Sequence, residues 1–175
     1  MEDTLRVLNL MVSEGVIEIY AIAGAVGAAY YVQPTFTEDL DVLIPIHLKG
    51  GLVDLEPISR FMKEHGHPIE LVGYRVGKWL VQFLPVSNSL TQEALEQSRE
   101  VLFGQTPTRV LTAEHLAAIM LQVGRTKDLV RLASFWTGQK LDDKKFQKIL
   151  KHHSLIDKWR KFVLQFRPAE PESRP

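Results

Sequence analysis

The stretch AIAGAVGAAYYVQPTFTEDLDVLIPI, residues 21–46, decides the fold of this chain. The apolar run over residues 17–22 predicts a buried strand, and residues 25–32 are small and apolar enough for a short buried helix. Pro34 ends this helix, because proline disfavours the helical conformation in the residue before it. Residues 39–44 then predict a second strand. The stretch therefore predicts a strand, a glycine turn, a helix and a strand in succession.

Two carboxylates, Asp39 and Asp41, begin the second strand. Side chains two residues apart on a strand project from the same face, whereas Leu40 and Val42 project into a core. Adjacent carboxylates repel unless a cation lies between them, and hard oxygen ligands suit Mg²⁺ or Mn²⁺. A solvent-facing acidic pair is the alternative. The cation site is favoured because Gly24 lets a phosphate approach the backbone at a helix N-terminus.

This arrangement resembles the signature of the nucleotidyltransferase fold, in particular its small AbiEii-type branch. The resemblance is carried by Gly24-Ala25 and by the pattern Thr-x-Asp-x-Asp over residues 37–41. It implies that Asp39 and Asp41 are metal ligands and that Gly24-Ala25 forms a phosphate-binding turn. Ala25 stands where the family usually has serine or glycine, so phosphate binding would depend on backbone N–H groups.

The resemblance also implies a third carboxylate on the strand predicted over residues 78–84, and Gln82 occupies that position. Glutamine is neutral and a weak base, although it can orient a water molecule or a nucleotide. Either two carboxylates suffice for catalysis, or catalysis has been lost. Glu70 on the preceding strand is a possible substitute for the third carboxylate. The sequence leaves these alternatives open.

A second group of polar residues, Gly124-Arg125-Thr126-Lys127-Asp128, lies between two predicted helices. Lys127 near a helix start would neutralise triphosphate charge, and Asp128 would cap the helix or hold Lys127. An exposed turn between helices explains the segment equally well when it is considered alone. The segment resembles the AbiEii-type branch, in which a basic residue and a Lys-Asp pair lie over the active cleft. Its position after Gly24 and the acidic pair favours the functional interpretation.

The remaining periodicity predicts mostly helices around a small sheet. Helices are predicted over residues 2–13, 52–65 and 89–103, strands over 69–75, 78–84 and 108–111, and only helices after residue 112. The resulting fold class is α/β (α+β), a nucleotidyltransferase-like small mixed sheet with flanking helices and a C-terminal helical part. The predicted division is a core over residues 1–106, a helical part over 107–167 and a disordered tail over 168–175.

The composition is that of an ordinary soluble globular protein, with 45% hydrophobic and 24% charged residues in 175. The chain has no cysteine, which excludes disulfides, a thiol nucleophile and a zinc–thiolate site. No signal peptide and no apolar run of membrane-spanning length are recognisable. We therefore expect a cytoplasmic protein without a membrane partner.

The zero net charge conceals an uneven distribution along the chain. Residues 1–100 carry 7 basic and 14 acidic residues, whereas residues 140–175 carry 10 basic and 5 acidic residues. A basic C-terminal part would attract a polyanion, but basic helix faces also serve solubility alone, which is the simpler interpretation.

The histidine pairs do not predict metal sites. His65-Gly66-His67 lies at a predicted helix end and indicates a turn. His152 and His153 are consecutive on a predicted helix, so they are expected to point to different faces and not to bind one ion.

The sequence thus predicts transfer of a nucleoside monophosphate from an NTP to an acceptor hydroxyl of RNA, tRNA or a protein. Asp39, Asp41 and Lys127 are the predicted catalytic residues, and Mg²⁺ or Mn²⁺ is the predicted cofactor. The predicted nucleotide-binding residues are Gly24, Ala25, Thr37, Gln82, Arg125 and Lys127. A role as the toxin of a toxin–antitoxin pair, with a cognate antitoxin as partner, is compatible with the resemblance. The alternatives are a catalytically inactive binding module and a toxin–antitoxin partner that acts through protein contacts.

Overall fold

The computed structural model describes residues 1–45 and 48–166, and a seven-stranded mixed sheet lies at its centre. The strands are β1 Ala21–Ile22, β2 Asp39–Ile44, β3 Leu48–Lys49, β4 Leu52–Val53, β5 Ile69–Glu70, β6 Gly73–Val76, β7 Trp79–Pro85, β8 Arg99–Phe103 and β9 Thr106–Val110. The sheet has the order β5-β6-β7-β2-β1-β9-β8, and β3 and β4 form a separate two-stranded ribbon. The mixed α/β architecture predicted from the sequence is confirmed.

Helices cover both faces of the sheet. They are α1 Glu2–Ser13, α2 Gly24–Ala29, α3 Glu56–Glu64, α4 Ser89–Glu96, α5 Ala113–Val123, α6 Thr126–Thr137, α7 Asp143–His152 and α8 Ile156–Phe166. Residues of α1 and α3 share one hydrophobic cluster with β2, and residues of α4 to α8 form a second cluster with the opposite face. None of the helices among the described residues combines the length and the hydrophobicity needed to cross a membrane.

Strand β2 lies in the middle of the sheet, with apolar side chains buried on one face and two carboxylates on the other. Leu40, Val42 and Ile44 are 0–1% exposed in the cluster with α1 and α3, while Asp39 and Asp41 face the other side. β2 pairs antiparallel with β1 and parallel with β7. This pairing places the aspartates in the middle of the sheet.

The helix predicted over residues 89–103 is wrong in its second half. Helix α4 ends at Glu96, and residues 99–103 form β8, which pairs antiparallel with β9. Gly104, with φ of +60°, makes the turn between these strands, and Arg109 joins them by an ion pair with Glu100 at 2.8 Å. Pairing with β9 therefore outweighs the helical preference of the segment.

Three other predicted elements are shorter in the structure. The strand predicted over residues 17–22 is reduced to the two residues of β1. The helix predicted over residues 25–32 corresponds to α2, which ends at Ala29, and the helix predicted over residues 52–65 corresponds to α3, which begins at Glu56. Pro57 lies in the first turn of α3, where the missing N–H of proline costs no helical hydrogen bond. Residues 52–53 instead pair with β3.

The C-terminal helices pack through aromatic residues. Trp159 contacts Phe146 edge to face with ring centroids 5.1 Å apart, and Phe162 is 3% exposed in the same cluster. The predicted division between residues 106 and 107 falls at the start of β9 and stays a prediction. The predicted tail, 168–175, lies outside the described residues.

Candidate active site

Gly24 and Asp41 are in direct contact at the junction of β1 and α2. Gly24 has φ of +56°, and a Cβ built on it would lie 2.7 Å from the carboxylate carbon of Asp41. The backbone is held there because the N–H of Ala23 donates to the carbonyl oxygen of Asp41 at 2.9 Å. Only glycine fits this position, since it needs both a left-handed conformation and room for a neighbouring carboxylate.

Asp39, Asp41 and Gln82 lie on one face of the sheet. In the parallel pair of β2 and β7, Asp41 stands opposite Gln82 and Asp39 stands opposite Leu80. Gln82 and Asp41 line the same cavity. Gln82 therefore points to the same side of the sheet as the aspartates.

Glu70 does not join this group. It lies on β5, three strands from β2 in the sheet order, and its Oε2 accepts hydrogen bonds from Nε and Nη2 of Arg75 at 3.0 and 2.7 Å. A carboxylate that is engaged in this bidentate pair at the sheet edge is a poor substitute for a third carboxylate beside Asp41.

The electrostatic state of Asp41 indicates an incompletely compensated site. Burial raises the pKa of Asp41 above its ordinary value, and the nearby charge of Asp39 raises this pKa further. The cations Arg125, Lys127 and Arg131 lower the pKa without restoring it. Charged Asp41 is therefore destabilised in the folded protein, which is the condition that a bound cation relieves.

The cations come from the start of α6. Arg125 is the residue before the helix, and its Nε donates to Oδ2 of Asp128 at 2.6 Å. Asp128 is 4% exposed and also lies 3.8 Å from Nη1 of Arg131. Asp128 thus pairs with two arginines, whereas the sequence suggested that it caps the helix or holds Lys127.

Arg131 is a member of the site that sequence reasoning missed. It follows Asp128 by three residues on α6, which puts both side chains on one helix face. Its Nη2 donates to the hydroxyl of Thr35 at 3.2 Å, and its Nε is buried without a hydrogen-bond partner among the described residues. The spacing from Asp128 was the available signal, but only the tertiary fold brings this face of α6 to the cavity that the aspartates of β2 line.

Thr37 positions the start of β2. Its hydroxyl accepts a hydrogen bond from the N–H of Asp39 at 3.1 Å, and the side chain lines the same cavity as both aspartates. Ala25 lines this cavity from the first turn of α2. The hydroxyl of Thr37 thus fixes the backbone that carries the first carboxylate.

A charged compartment separates two largely apolar ones. The charged cavity has a volume of about 390 Å³ and is lined by four carboxylates, among them Asp39 and Asp41, and by the cations Arg125, Lys127 and Arg131. A cavity of about 420 Å³ shares Gly24, Asp41, Arg125, Asp128 and Arg131 with it. Its other lining residues are mostly apolar, among them Leu84, Ile119, Met120 and Val123, with Gln82 as a polar member. A third cavity of about 560 Å³ shares Ala25, Phe36 and Thr37 with the charged one and includes Tyr30, Trp79 and Phe103. Together the cavities suit a ligand that has both charged and apolar parts.

The fold is similar to that of a solved protein. The crystal structure of an antigenic nucleotidyltransferase-like protein from Paracoccidioides brasiliensis superposes with a TM-score of 0.52, covering 94% of this chain and 90% of that one at 12% identity. No family model matches the chain, and no curated protein sequence matches it. The chain therefore has a nucleotidyltransferase-like fold, and the similarity extends over nearly its whole length.

Proposed function

We propose that this protein is a metal-dependent nucleotidyltransferase of the AbiEii-type branch, which moves a nucleoside monophosphate from an NTP to an acceptor hydroxyl. The observation that carries the proposal is the cavity that Asp39 and Asp41 share with three cations beside the central strand of a nucleotidyltransferase-like sheet. Carboxylates suit a divalent cation, and the cations suit a triphosphate.

Asp39 and Asp41 would hold one or two Mg²⁺ or Mn²⁺ ions. The donor set fits, since both residues offer hard oxygen ligands. The raised pKa of Asp41 reflects burial and the neighbouring charge of Asp39, which the nearby cations do not fully offset. When bound, the metal would neutralise triphosphate charge and polarise the α-phosphate. Magnesium sites commonly complete their ligands with substrate phosphates, so we expect tight metal binding only with nucleotide present.

The chain's own residues would bind and orient the triphosphate. Lys127 and Arg131 face the cavity as cations, and Asp128 keeps Arg131 and Arg125 in place. The acceptor oxygen forms a bond to the α-phosphorus, and the bond between the α-phosphorus and the oxygen that bridges it to the β-phosphate breaks. Pyrophosphate leaves with the electron pair of that bond, and the hydroxyl proton passes to water. Lys127, Arg125 and Arg131 would stabilise the charge that accumulates on the leaving pyrophosphate.

The two apolar cavities would receive the uncharged parts of the reactants. The amide of Gln82 can both donate to and accept from a base edge, so the cavity lined by Ile119 and Met120 suits the nucleobase. The cavity lined by Phe36 and Trp79 would then receive the acceptor. The acceptor would be a hydroxyl of RNA, tRNA or a protein, and the toxin role with a cognate antitoxin is part of this proposal.

A binding module without turnover is the second candidate function. Gln82 favours it, because a neutral side chain stands opposite Asp41 where the resemblance implies a third carboxylate. Both candidates bind nucleotide, and they differ only in whether label from the α-phosphate reaches an acceptor.

Gln82→Asp separates the two candidates. If the protein is an enzyme, two aspartates already suffice, and we expect Gln82→Asp to transfer label at the wild-type rate or faster. A binding module would show no wild-type transfer and would gain weak activity in Gln82→Asp. The control is Gln82→Asn, which shortens the side chain equally and adds no charge. An active wild type with an inactive Gln82→Asp and an active Gln82→Asn would contradict the placement of Gln82 at a ligand position.

Lys127→Ala tests the cationic side of the site. We expect turnover to fall by about 10²–10³, the usual effect of losing one electrostatic stabiliser of a transition state. Lys144→Ala, at an exposed position of α7, removes the same charge and should leave turnover unchanged. The measurement is label transfer from each NTP with Mg²⁺ and total cellular RNA. Equal rates for Lys127→Ala and the wild type would exclude Lys127 from the site.

A further inference from the structure

A second group of potential ligands lies outside the cleft, where Glu93 on α4 meets His152 and His153 at the end of α7. Nδ1 of His152 lies 3.0 Å and Nε2 of His153 lies 2.7 Å from Oε2 of Glu93. The prediction that these histidines point apart is therefore wrong. His153 follows the last residue of α7. The two rings approach Glu93 with different nitrogens: His152 with Nδ1, which is nearer the backbone, and His153 with Nε2, which is farther from it.

The three side chains form a compact set of donors. One oxygen of Glu93 and one nitrogen from each histidine all lie within 4.8 Å of one another. Ligands about 2.0–2.1 Å from a tetrahedral zinc ion lie roughly 3.4 Å apart, so small side-chain movements would admit the ion. Two imidazoles with one carboxylate, and a fourth position left for water, are a common zinc donor set. Imidazole ligands disfavour Mg²⁺, which prefers oxygen.

Neighbouring residues orient this donor set. Nδ1 of His153 lies 3.2 Å from the hydroxyl of Ser89, and a proton donated there leaves a lone pair on Nε2 toward Glu93. Oε1 of Glu93 accepts from Nε2 of Gln97 at 3.2 Å and lies 3.4 Å from Nε2 of buried His115. Oε2 is thus the carboxylate oxygen that faces both ligand histidines.

We propose that Glu93, His152 and His153 bind a zinc-like transition-metal ion that joins α4 to the end of α7. The ion would link residues about sixty positions apart in sequence and would thereby fix the C-terminal helices against α4. It is chemically distinct from the Mg²⁺ proposed for the aspartates and has its own ligands. The proposal does not depend on nucleotidyl transfer.

The test is Zn²⁺ titration of the full chain without an affinity tag, in competition with a chromophoric chelator. We expect one tight site, a higher melting temperature with Zn²⁺, and visible absorption bands of bound Co²⁺. Glu93→Gln and His152→Gln should each weaken Zn²⁺ binding about tenfold or more. His67→Gln, which changes a histidine in the loop before β5, should bind as the wild type does.

The variants also keep folding and binding apart. The His153 side chain is 3% exposed, so His153→Gln is open to a folding defect, whereas the His152 side chain is 69% exposed and its replacement should leave the fold intact. A wild type without stoichiometric Zn²⁺ binding would overturn the proposal and leave the group as a hydrogen-bonded carboxylate. Unchanged binding in His152→Gln and Glu93→Gln would overturn it equally. Excess Mg²⁺ should not displace the zinc.

Discussion

Replacing Asp41 with asparagine is expected to lower label transfer by on the order of 10³. Asp41 contacts Gly24, shares its cavity with Arg125, Lys127 and Arg131, and is one of the two proposed metal ligands. Asn retains the shape but lacks the charge that a divalent cation requires. Calorimetry with Mn²⁺ and a non-hydrolysable NTP should show weakened binding in Asp41→Asn and in Asp39→Asn.

The loss of activity in Asp41→Asn should occur without a loss of stability. Because burial and Asp39 raise the pKa of Asp41, the folded protein binds this proton more tightly than the unfolded chain does. The free energy of unfolding therefore falls as the pH rises from the pKa of Asp41 in the unfolded chain through its pKa in the folded protein. At neutral pH, charged Asp41 opposes folding. We expect Asp41→Asn to melt at the wild-type temperature or above it when metal is absent.

Glu18→Gln is the matched control, since it removes one negative charge from an exposed residue. It should leave both transfer and metal binding unchanged. Equal binding of Mn²⁺ and nucleotide by the wild type, Asp39→Asn and Asp41→Asn would remove these carboxylates from the metal site.

The second large effect is expected for Gly24→Ala. The added methyl group would overlap the carboxylate of Asp41, which must then move together with any metal it holds. A displacement of about 1 Å at a reacting centre costs on the order of 10² in rate. We expect a loss of label transfer of that order together with weaker binding of Mn²⁺ and nucleotide.

Gly77→Ala separates the steric effect from backbone strain. Gly77 has φ of +60°, close to the +56° of Gly24, and no described heavy atom lies within 4 Å of a Cβ built on it. Both variants therefore carry a similar conformational cost of about 1–2 kcal/mol, but only Gly24→Ala meets Asp41. Equal activity of the two variants would show that contact between Gly24 and Asp41 has no role in catalysis.

The carboxylate half of the site could be predicted from sequence because it depends on local rules. Strand periodicity puts Asp39 and Asp41 on one face, and the parallel pairing of β2 with β7 then brings Gln82 opposite Asp41. The glycine after β1 signals a turn, but its contact with Asp41 depends on how closely α2 approaches β2. That distance is a tertiary property with no signature in the local pattern.

The features that were missed all depend on contacts between distant segments. Arg131 becomes part of the site only because the fold brings α6 to the cavity that Asp39 and Asp41 line. Residues 99–103 become a strand only because β9 is available as a partner. His152 and His153 meet because α7 ends there and Glu93 of α4 lies between their ring nitrogens. Helical periodicity predicts neither where α7 ends nor that the Glu93 side chain lies next to that end.

The central claim is nucleotidyl transfer, and label transfer by the wild-type chain tests it most directly. The chain is incubated with Mg²⁺, total cellular RNA or protein extract, and each of the four NTPs labelled in turn at the α-phosphate, with Asp41→Asn as the blank. The account predicts that label from at least one NTP enters an acceptor, that an equal amount of pyrophosphate is released, and that the blank shows neither. Wild-type chain that binds NTP with Mg²⁺ yet transfers no label to any acceptor would contradict it.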